Sequence, residues 1–382
     1  MEFDLQWLLI GLPVAFGLGW LGSRLDLRQF RREQRDAPKA YFKGLNLLLN
    51  EQQDKAIDAF IEAVQNDPDT TELHFALGNL FRRRGEFERA VRVHQHLLGR
   101  ADLGETERDR AQYALAQDFM KAGLFDRAEE AYRALLGTPF DTEARLALLN
   151  LYERSRDWHA AAEVAAALEH AGTGSFGQRI AHYWCELALE ADARQATEDA
   201  DKALAQARKA APQAPRPLLI AGQRLARQGQ AEQALALWNE LRLRDIAAFA
   251  LIGEDYVSAA RACGQVDMAR QALQEAYERA PSLDLLRARA LLDGHELSAD
   301  PALLQHLQRQ PTLGAAAALL QRPLPQWDEP AAQAVRAAVG RAAQPLQRYR
   351  CAACGFEAQR YFWQCPGCLS WDSFPPERIE EL

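Results

Sequence analysis

Apolar positions in this chain follow three regimes, and each predicts a different kind of element. Residues 5–23 carry no charge and are apolar on every side, which predicts one continuous helix that shows no polar face to water. From 41 to 281 the apolar residues fall at helical spacing inside a longer period of thirty-four: Gly78 follows Gly44 by that interval, and Ala90 follows Ala56. In the last thirty-odd residues neither pattern holds; aromatic side chains are interleaved with pairs of cysteines.

The long period sets the architecture. Gly44, Ala56, Phe60, Ala63 and Pro68 give the clearest copy. Ala116, Phe119, Ala128 and Tyr132 give a third, delayed by about four residues that 103–109 absorb, and Leu149, Tyr152 and Ala161 a fourth. Trp184, Leu187, Ala188, Ala200, Leu204, Ala207 and Pro212 form a fifth, Gly222, Leu225, Ala234 and Trp238 a sixth, and Ala269, Leu273, Ala276 and Pro281 a weaker seventh. Small residues at the eighth and twentieth positions let two antiparallel helices approach, and large residues fill the gaps beside them. This is the tetratricopeptide pattern, in which one hairpin cannot bury its apolar face alone and units stack. The turn inside each hairpin recurs as Arg84-Gly85-Glu86-Phe87, Ala122-Gly123-Leu124-Phe125, Gln228-Gly229-Gln230 and Cys263-Gly264-Gln265, with Gly predicted in the left-handed conformation that ends a helix. Beyond 281 the helical pattern continues while the register fades, as the end of a stack requires. A Pro-rich joint over 322–330 leads to one more helix over 331–343, stopped by Pro345.

The apolar stretch changes the picture of where the chain works. Nineteen residues span roughly 28 Å as a helix, about one hydrocarbon core. Trp7 and Trp20 lie near its ends, at interface depth. Glu2 and Asp4 oppose a signal peptide, which needs a basic start, so an uncleaved anchor is expected. Arg24, Arg28, Arg31, Arg32 and Arg35 follow the span and place the bulk of the chain in the cytoplasm, with the N-terminus outside. A first repeat helix starts at Ala37-Pro38. A net charge of −8 argues against nucleic acid as a partner.

The tail holds the one strong chemical motif. Cys351 and Cys354, then Cys365 and Cys368, form two C-x-x-C pairs ten residues apart. Each pair is a knuckle offering two thiolates, and four thiolates in a tetrahedron suit zinc or a single iron. Gly355 and Gly367 are expected to supply the turns, and Tyr349, Phe356, Tyr361, Phe362, Trp363 and Trp371 a small aromatic cap. So short a segment has little core of its own, so the metal supplies most of its folding energy. Disulfides are the alternative, opposed by a cytoplasmic location. Cys185 and Cys263 read as core residues.

Elsewhere the sequence offers binding and no catalysis. Gly172, Gly174 and Gly177 match G-x-G-x-x-G, but the motif follows a helix and reads as a loop between repeats. His94 and His96 face different ways and are not persuasive ligands. On the first helices of four hairpins an amide and a cation stand one turn apart: Asn79 and Arg83, Gln117 and Lys121, Asn150 and Arg154, Gln223 and Arg227. Such pairs could hold the main chain and acidic groups of a bound peptide, and equally could be a solvated charged face.

The order of anchor, repeats and cysteine pairs resembles the lipopolysaccharide assembly protein B family of Gram-negative bacteria over the whole length. The resemblance rests on Met1-Glu2-Phe3 and Trp7-Leu8-Leu9, on Tyr41-Phe42-Lys43-Gly44-Leu45-Asn46, and on Cys351, Cys354, Cys365-Pro366 and Cys368. It implies an all-α superhelical solenoid of tetratricopeptide repeats with an N-terminal transmembrane helix and a small rubredoxin-like or zinc-ribbon metal domain. The expected bounds are 1–23 for the anchor, 24–36 for a basic juxtamembrane segment, 37–281 for the repeats, 282–344 for degenerate repeats and linker, and 345–382 for the metal domain. The resemblance further implies a non-enzymatic, single-pass inner-membrane adaptor that helps the membrane AAA protease FtsH degrade the deacetylase LpxC. A membrane regulator of lipopolysaccharide synthesis is a further implied partner, and a homodimer is compatible with it. The four cysteines match the family's metal ligands, with iron implied by the resemblance and zinc equally suited chemically. Leu369 stands where a rubredoxin knuckle usually has Gly, and the short span between the pairs also departs from electron-carrying rubredoxins. A redox protein built on the four cysteines, or a general scaffold for envelope assembly, are the alternative readings.

Overall fold

The computed structural model describes residues 43–382, apart from 45, 48, 49, 51, 67–69 and 323–328. The anchor over 5–23, the basic segment over 24–36 and the helix start at Ala37 lie outside the described residues. Among those described, no helix is long and apolar enough to cross a membrane. The chain divides into two compact units, Met1–Leu151 and Tyr152–Leu382.

In the first unit the helices are α1 (Gln53–Asn66), α2 (Thr71–Arg83), α3 (Phe87–Leu98), α4 (Glu105–Ala122), α5 (Phe125–Arg133) and most of α6 (Asp141–Ser155). The small eighth position does what the pattern requires. A Cβ on Gly44 would lie 2.7 Å from the Phe60 ring, and one on Gly78 would lie 2.5 Å from the His94 ring. A ring sixteen residues on therefore sits directly over each glycine, and Ala56, Phe60, Ala63 and Ala90 are almost fully buried around it. The buried His94 donates through Nδ1 to Asp118 Oδ2, and the other Asp118 oxygen accepts from Arg82 Nη1 at 2.9 Å. This ties α3 and α2 to α4 by a paired buried carboxylate. The extra residues of the third copy do not form a loop: 105–109 are the opening turns of the eighteen-residue α4.

The second unit continues with α7 (Trp158–His170), α8 (Gly177–Ala193), α9 (Thr197–Ala210), α10 (Pro215–Arg227), α11 (Ala231–Arg244), α12 (Ile246–Ala250), α13 (Gly253–Ala262), α14 (Val266–Arg279) and α15 (Leu283–Asp293). A 3-10 turn (Leu297–Ala299), α16 (Leu303–Arg309), α17 (Leu313–Leu319) and α18 (Glu329–Ala343) follow. One hydrophobic core runs from Ala181 to Ala315, with Trp238, Phe249 and Tyr256 fully enclosed. Trp238 roofs Gly222 as Phe60 roofs Gly44. The joint helix begins at Glu329, two residues before the pattern suggests, with Pro330 in its first turn. The Gly172–Gly177 motif is indeed a connection between helices: Gly177 opens α8, and a Cβ there would lie 2.8 Å from the Ala210 carbonyl oxygen. Cys185 is fully buried, and burial pushes its thiol up to about 12.

Among the described residues, six hairpins close with the same hydrogen bond. The amides of Glu86, Leu124, Asp157, Ala196, Gln230 and Gln265 each donate to the carbonyl five residues back, at 2.9 Å in all six. The residue just before each of these amides is left-handed. It is Gly85, Gly123, Gly229 and Gly264 in four, as the sequence predicts, but Arg156 (φ 60°) and Gln195 (φ 61°) in the other two. A side chain in that conformation costs roughly 1 kcal/mol. Arg156→Gly and Gln195→Gly should therefore each raise unfolding stability by about 0.5–1 kcal/mol, while Gly229→Ala should lower it. Denaturant melts of the purified variants check the sign.

Candidate metal centre and its seat on the repeats

The cysteine tail folds as a small ribbon. Strands β1 (Tyr349–Arg350) and β2 (Glu357–Ala358) pair antiparallel, with Tyr349 opposite Ala358 and Arg350 opposite Glu357. Each C-x-x-C pair closes a knuckle in the same way. The amides of Gly355 and Leu369 donate to the carbonyls of Cys351 and Cys365, both at 2.8 Å. The left-handed residue of the first knuckle is Gly355 (φ 77°), as expected; that of the second is Leu369 (φ 59°), not Gly367. Gly367 instead offers its amide to Cys365 Sγ at 3.4 Å and lies against Phe356.

The geometry brings all four predicted ligands together. The Sγ atoms of Cys351, Cys354, Cys365 and Cys368 lie within 4.8 Å of one another. Cys351 and Cys368 are 3.8 Å apart, and Cys354 and Cys365 are 3.7 Å apart. A tetrahedron with metal–sulfur bonds of about 2.3 Å has edges of about 3.8 Å, so the donor set fits one tetrahedral ion. Four thiols this close cannot all ionise without a cation. For Cys351 burial works against the charge, but the Ser373 hydroxyl and the knuckle amides outweigh it and bring the thiol to about 6. For Cys354 the Phe356 amide favours the thiolate, but burial and the other thiols carry it to about 12. A bound dication removes that conflict. Cys351 and Cys365 are buried while Cys354 and Cys368 are exposed, so the ion would be held from the inside and approachable from the outside.

The second knuckle runs into the segment that seats the ribbon on the helices. Cys365 N donates to Ser370 O at 2.9 Å, Asp372 N to Trp363 O at 2.9 Å, and Ala352 N to Ser373 O at 2.7 Å. Residues 370–373 are thus bonded to both knuckles. From this segment Trp371 reaches the end of α6, where its Nε1 donates to Glu153 Oε1 at 3.0 Å. The same oxygen accepts from Arg179 Nη2 at 2.7 Å and from the Tyr183 hydroxyl. Trp371 also stacks on His182, with ring centres 4.7 Å apart at 15°, and meets Trp158 and Tyr183 edge-on. Asp372 accepts from His182 Nε2 at 2.7 Å, while His182 Nδ1 faces Arg216 Nη1 at 3.3 Å. An Arg can only donate, so the Nδ1 atom accepts and the proton sits on Nε2. Arg216, itself buried, is held by Glu186 at 2.6 Å.

The aromatic cap is therefore split. Tyr349, Tyr361 and Phe362 pack within the ribbon near Phe374, while Trp363 meets Tyr361 on one side and His182 and the helical core on the other. Trp371 leaves it to pack on the repeats, because its indole N–H needs an acceptor and Glu153 provides one. Phe356 stays exposed. The far end of the tail is fixed as well. Glu380 accepts from Gly314 N at 3.0 Å, Glu381 from Leu283 N at 3.4 Å, and Arg378 donates to Asp284 at 3.2 Å. Sequence reasoning missed Glu153, His182, Arg216 and Asp372. The one available signal was a Trp-Asp pair directly after a cysteine knuckle, with no obvious partner.

The amide–cation pairs lie on first helices as expected, and their surroundings differ. Arg83, Lys121, Asn150 and Arg154 are exposed and Gln117 is half-buried, while Asn79 accepts from Arg82 at 2.5 Å. Gln223 and Arg227 are already engaged, with Asp255 at 2.9 Å and Asp192 at 3.4 Å, and line a groove of about 610 Å³ with Leu189 and Trp238.

Two outcomes test the seat. Stripping the metal from the purified chain with a strong chelator should speed amide exchange over 349–376 at least tenfold and leave 105–133 unchanged; unaltered protection in the ribbon would mean that it folds without an ion. The second concerns pH. Burial holds His182 below its ordinary value of 6.5 despite Asp372. The unfolded chain then binds the proton more readily, so this contribution is full above about 6.5 and is lost as pH falls through the lower folded value. The melting temperature should drop between pH 7.5 and 5.5, and His182→Gln should flatten that slope. His306, also lowered by burial, leaves a remainder.

Both parts of this arrangement have counterparts. The family described as rubredoxin metal binding domain matches residues 349–376, which is the ribbon, and that described as tetratricopeptide repeat matches 73–109. Lipopolysaccharide assembly protein B of Escherichia coli (strain K12) is 33% identical over 390 residues, covering 98% of both chains. Lipopolysaccharide assembly protein B of Haemophilus influenzae is 26% identical over 414 residues, covering 99% of both. A tetratricopeptide repeat protein from Parabacteroides merdae overlays 68% of this chain and 99% of its own, at 15% identity and a TM-score of 0.33, too loosely to add to the helix pairing already described. With a third of its residues shared from end to end with the Escherichia coli relative, the chain belongs to the lipopolysaccharide assembly protein B family.

Proposed function

We propose that this protein is a non-enzymatic adaptor tethered to the inner membrane that limits lipopolysaccharide synthesis by promoting degradation of LpxC by FtsH. The observation that carries the reading is the end-to-end kinship with a family named for lipopolysaccharide assembly. The architecture supports it: stacked helix hairpins offer extended binding surface. The metal ribbon is locked to those hairpins by Glu153, His182 and Trp371.

In this reading the stretch over 5–23 anchors the chain with its N-terminus in the periplasm, and the repeats work in the cytoplasm. Confinement beside a membrane protease raises the effective concentration of adaptor and protease without tight contacts. The exposed cations Arg83, Lys121 and Arg154, with Asn79, Gln117 and Asn150 beside them, grip acidic or main-chain groups of a partner. A membrane regulator of lipopolysaccharide synthesis competes for or restrains this activity. The ion in the ribbon is structural in this reading, holding residues 370–373 in the shape that docks.

Depletion of the protein should lengthen the half-life of LpxC several-fold. Complementation with the triple variant Arg83→Glu, Lys121→Glu, Arg154→Glu should fail to restore it while the variant accumulates normally. A half-life that does not change on depletion would remove the function proposed here; full rescue by the triple variant would remove only the role of those side chains.

A further inference from the structure

A cleft of about 310 Å³ opens where the ribbon meets the helices that carry it. Tyr361, Trp363 and Phe374 line its ribbon side; Gln178, Pro215 and Asp245 line its helix side. Tyr361 meets Trp363 edge-to-face, with centres 5.0 Å apart at 79°. The two rings thus stand nearly at right angles where they border this space. Asp245 and Asp372 border the same space, and no Lys or Arg lines it among the described residues.

The charge of that space can be counted. His182 is held neutral at pH 7 by burial, so its pair with Asp372 keeps a net negative charge. Asp245 Oδ1 caps α12 by accepting from the Ala248 amide at 2.9 Å. Both carboxylates act on Tyr361: burial pushes its phenol up, and Asp372 and Asp245 push it further in the same direction. Arg216 is the cation behind the wall. Its guanidinium lies 5.7 Å from the Trp363 ring centre and is committed to Glu186 and His182. The cleft is thus an aromatic corner under a negative field, of a size that suits one long side chain. A cation over an aromatic face and beside carboxylates is the matching chemistry.

We propose that this cleft binds a Lys or Arg side chain carried on an extended segment of a partner protein, the cation lying against Tyr361 and Trp363 and between Asp245 and Asp372. Pro215, Pro375 and Pro376, which also line the cleft, have no N–H to offer. Recognition there therefore rests on the side chain more than on main-chain pairing. The proposal goes beyond the adaptor reading and does not need LpxC or FtsH to be the partner.

The test uses the full chain, immobilised, with acetylated and amidated pentapeptides Gly-Ser-X-Ser-Gly, where X is Arg, Lys, norleucine or Glu. The Arg and Lys peptides should bind at least about tenfold more tightly than the norleucine peptide, and the Glu peptide should not bind. Asp245→Asn keeps the helix cap, since Asn caps as well as Asp, and should weaken the Arg peptide about fivefold. Trp363→Leu should weaken it further, with a melting curve to confirm that the variant folds. Equal binding of the Arg and norleucine peptides would overturn the proposal, as would unchanged affinity in Asp245→Asn. Spermidine binding in the cleft while every peptide fails would make it a site for small cations and overturn the partner segment. Failure here leaves the LpxC half-life measurement standing, and an unchanged half-life leaves this binding assay standing.

Discussion

A carboxylate shut away from water has to collect donors, and Glu153 collects them from three directions. It is only 8% exposed, yet Arg179 from α8, the Tyr183 hydroxyl from the same helix and the Trp371 indole from the ribbon all converge on its Oε1 atom. Left without them, a buried ionised group would destabilise the fold by several kcal/mol. The arrangement of the second unit around the ribbon follows from meeting that demand. Trp371 must leave the ribbon to reach Glu153, which lays its ring on His182, which in turn positions Asp372. Burial also pushes the Tyr183 phenol upward, so that it stays a donor at any physiological pH.

This gives the metal a structural consequence beyond the ribbon itself. The docking segment 370–373 is not a free loop. Its carbonyls and amides are bonded to Cys365, to Trp363 and to Ala352, the residue after Cys351. Its shape is therefore set by the two knuckles, and the knuckles are held in register by whatever joins their thiols. The buried ligands Cys351 and Cys365 face the hydrophobic contact with Tyr349 and Phe374, to which Leu251 of the repeats also packs. The ion would sit between a wet edge and a dry edge, and the dry edge is continuous with the helical stack.

What could be read from the sequence follows from how local each constraint is. The repeat period, the four turn glycines and the four ligands are set within a few residues, and all are where the pattern places them. Arg156, Gln195 and Leu369 occupy left-handed positions that no residue preference announces, because the surrounding hydrogen bonds impose the conformation. Gly367 misled for the converse reason: a glycine in a tight turn need not be the residue with positive φ. Trp371 was assigned to a cap by its company in the sequence, whereas its place is decided by Glu153, 218 residues away. His182 and Asp372 are 190 residues apart, and only the folded stack brings that pair together.

The ribbon is attached at both ends, and this bears on how its parts can be told apart. Trp371 and Asp372 hold one end to α6 and α8. The carboxylates of Glu380 and Glu381 hold the other end at the starts of α17 and α15, with Arg378 on Asp284 between them. A Cβ at Gly314 would crowd the Glu380 carboxylate, so a larger residue there would have to shift the end of that side chain. Two anchors on one rigid body are coupled: once the first is made, the second closes with little further loss of freedom, and removing either alone leaves the other to keep the ribbon near its seat. Single substitutions at the two ends should therefore understate each contribution, and only their combination exposes the free energy that holds the ribbon down. The cleft at Tyr361 lies at the first of these anchors, and its wall shares Asp372 with the contact that seats the ribbon.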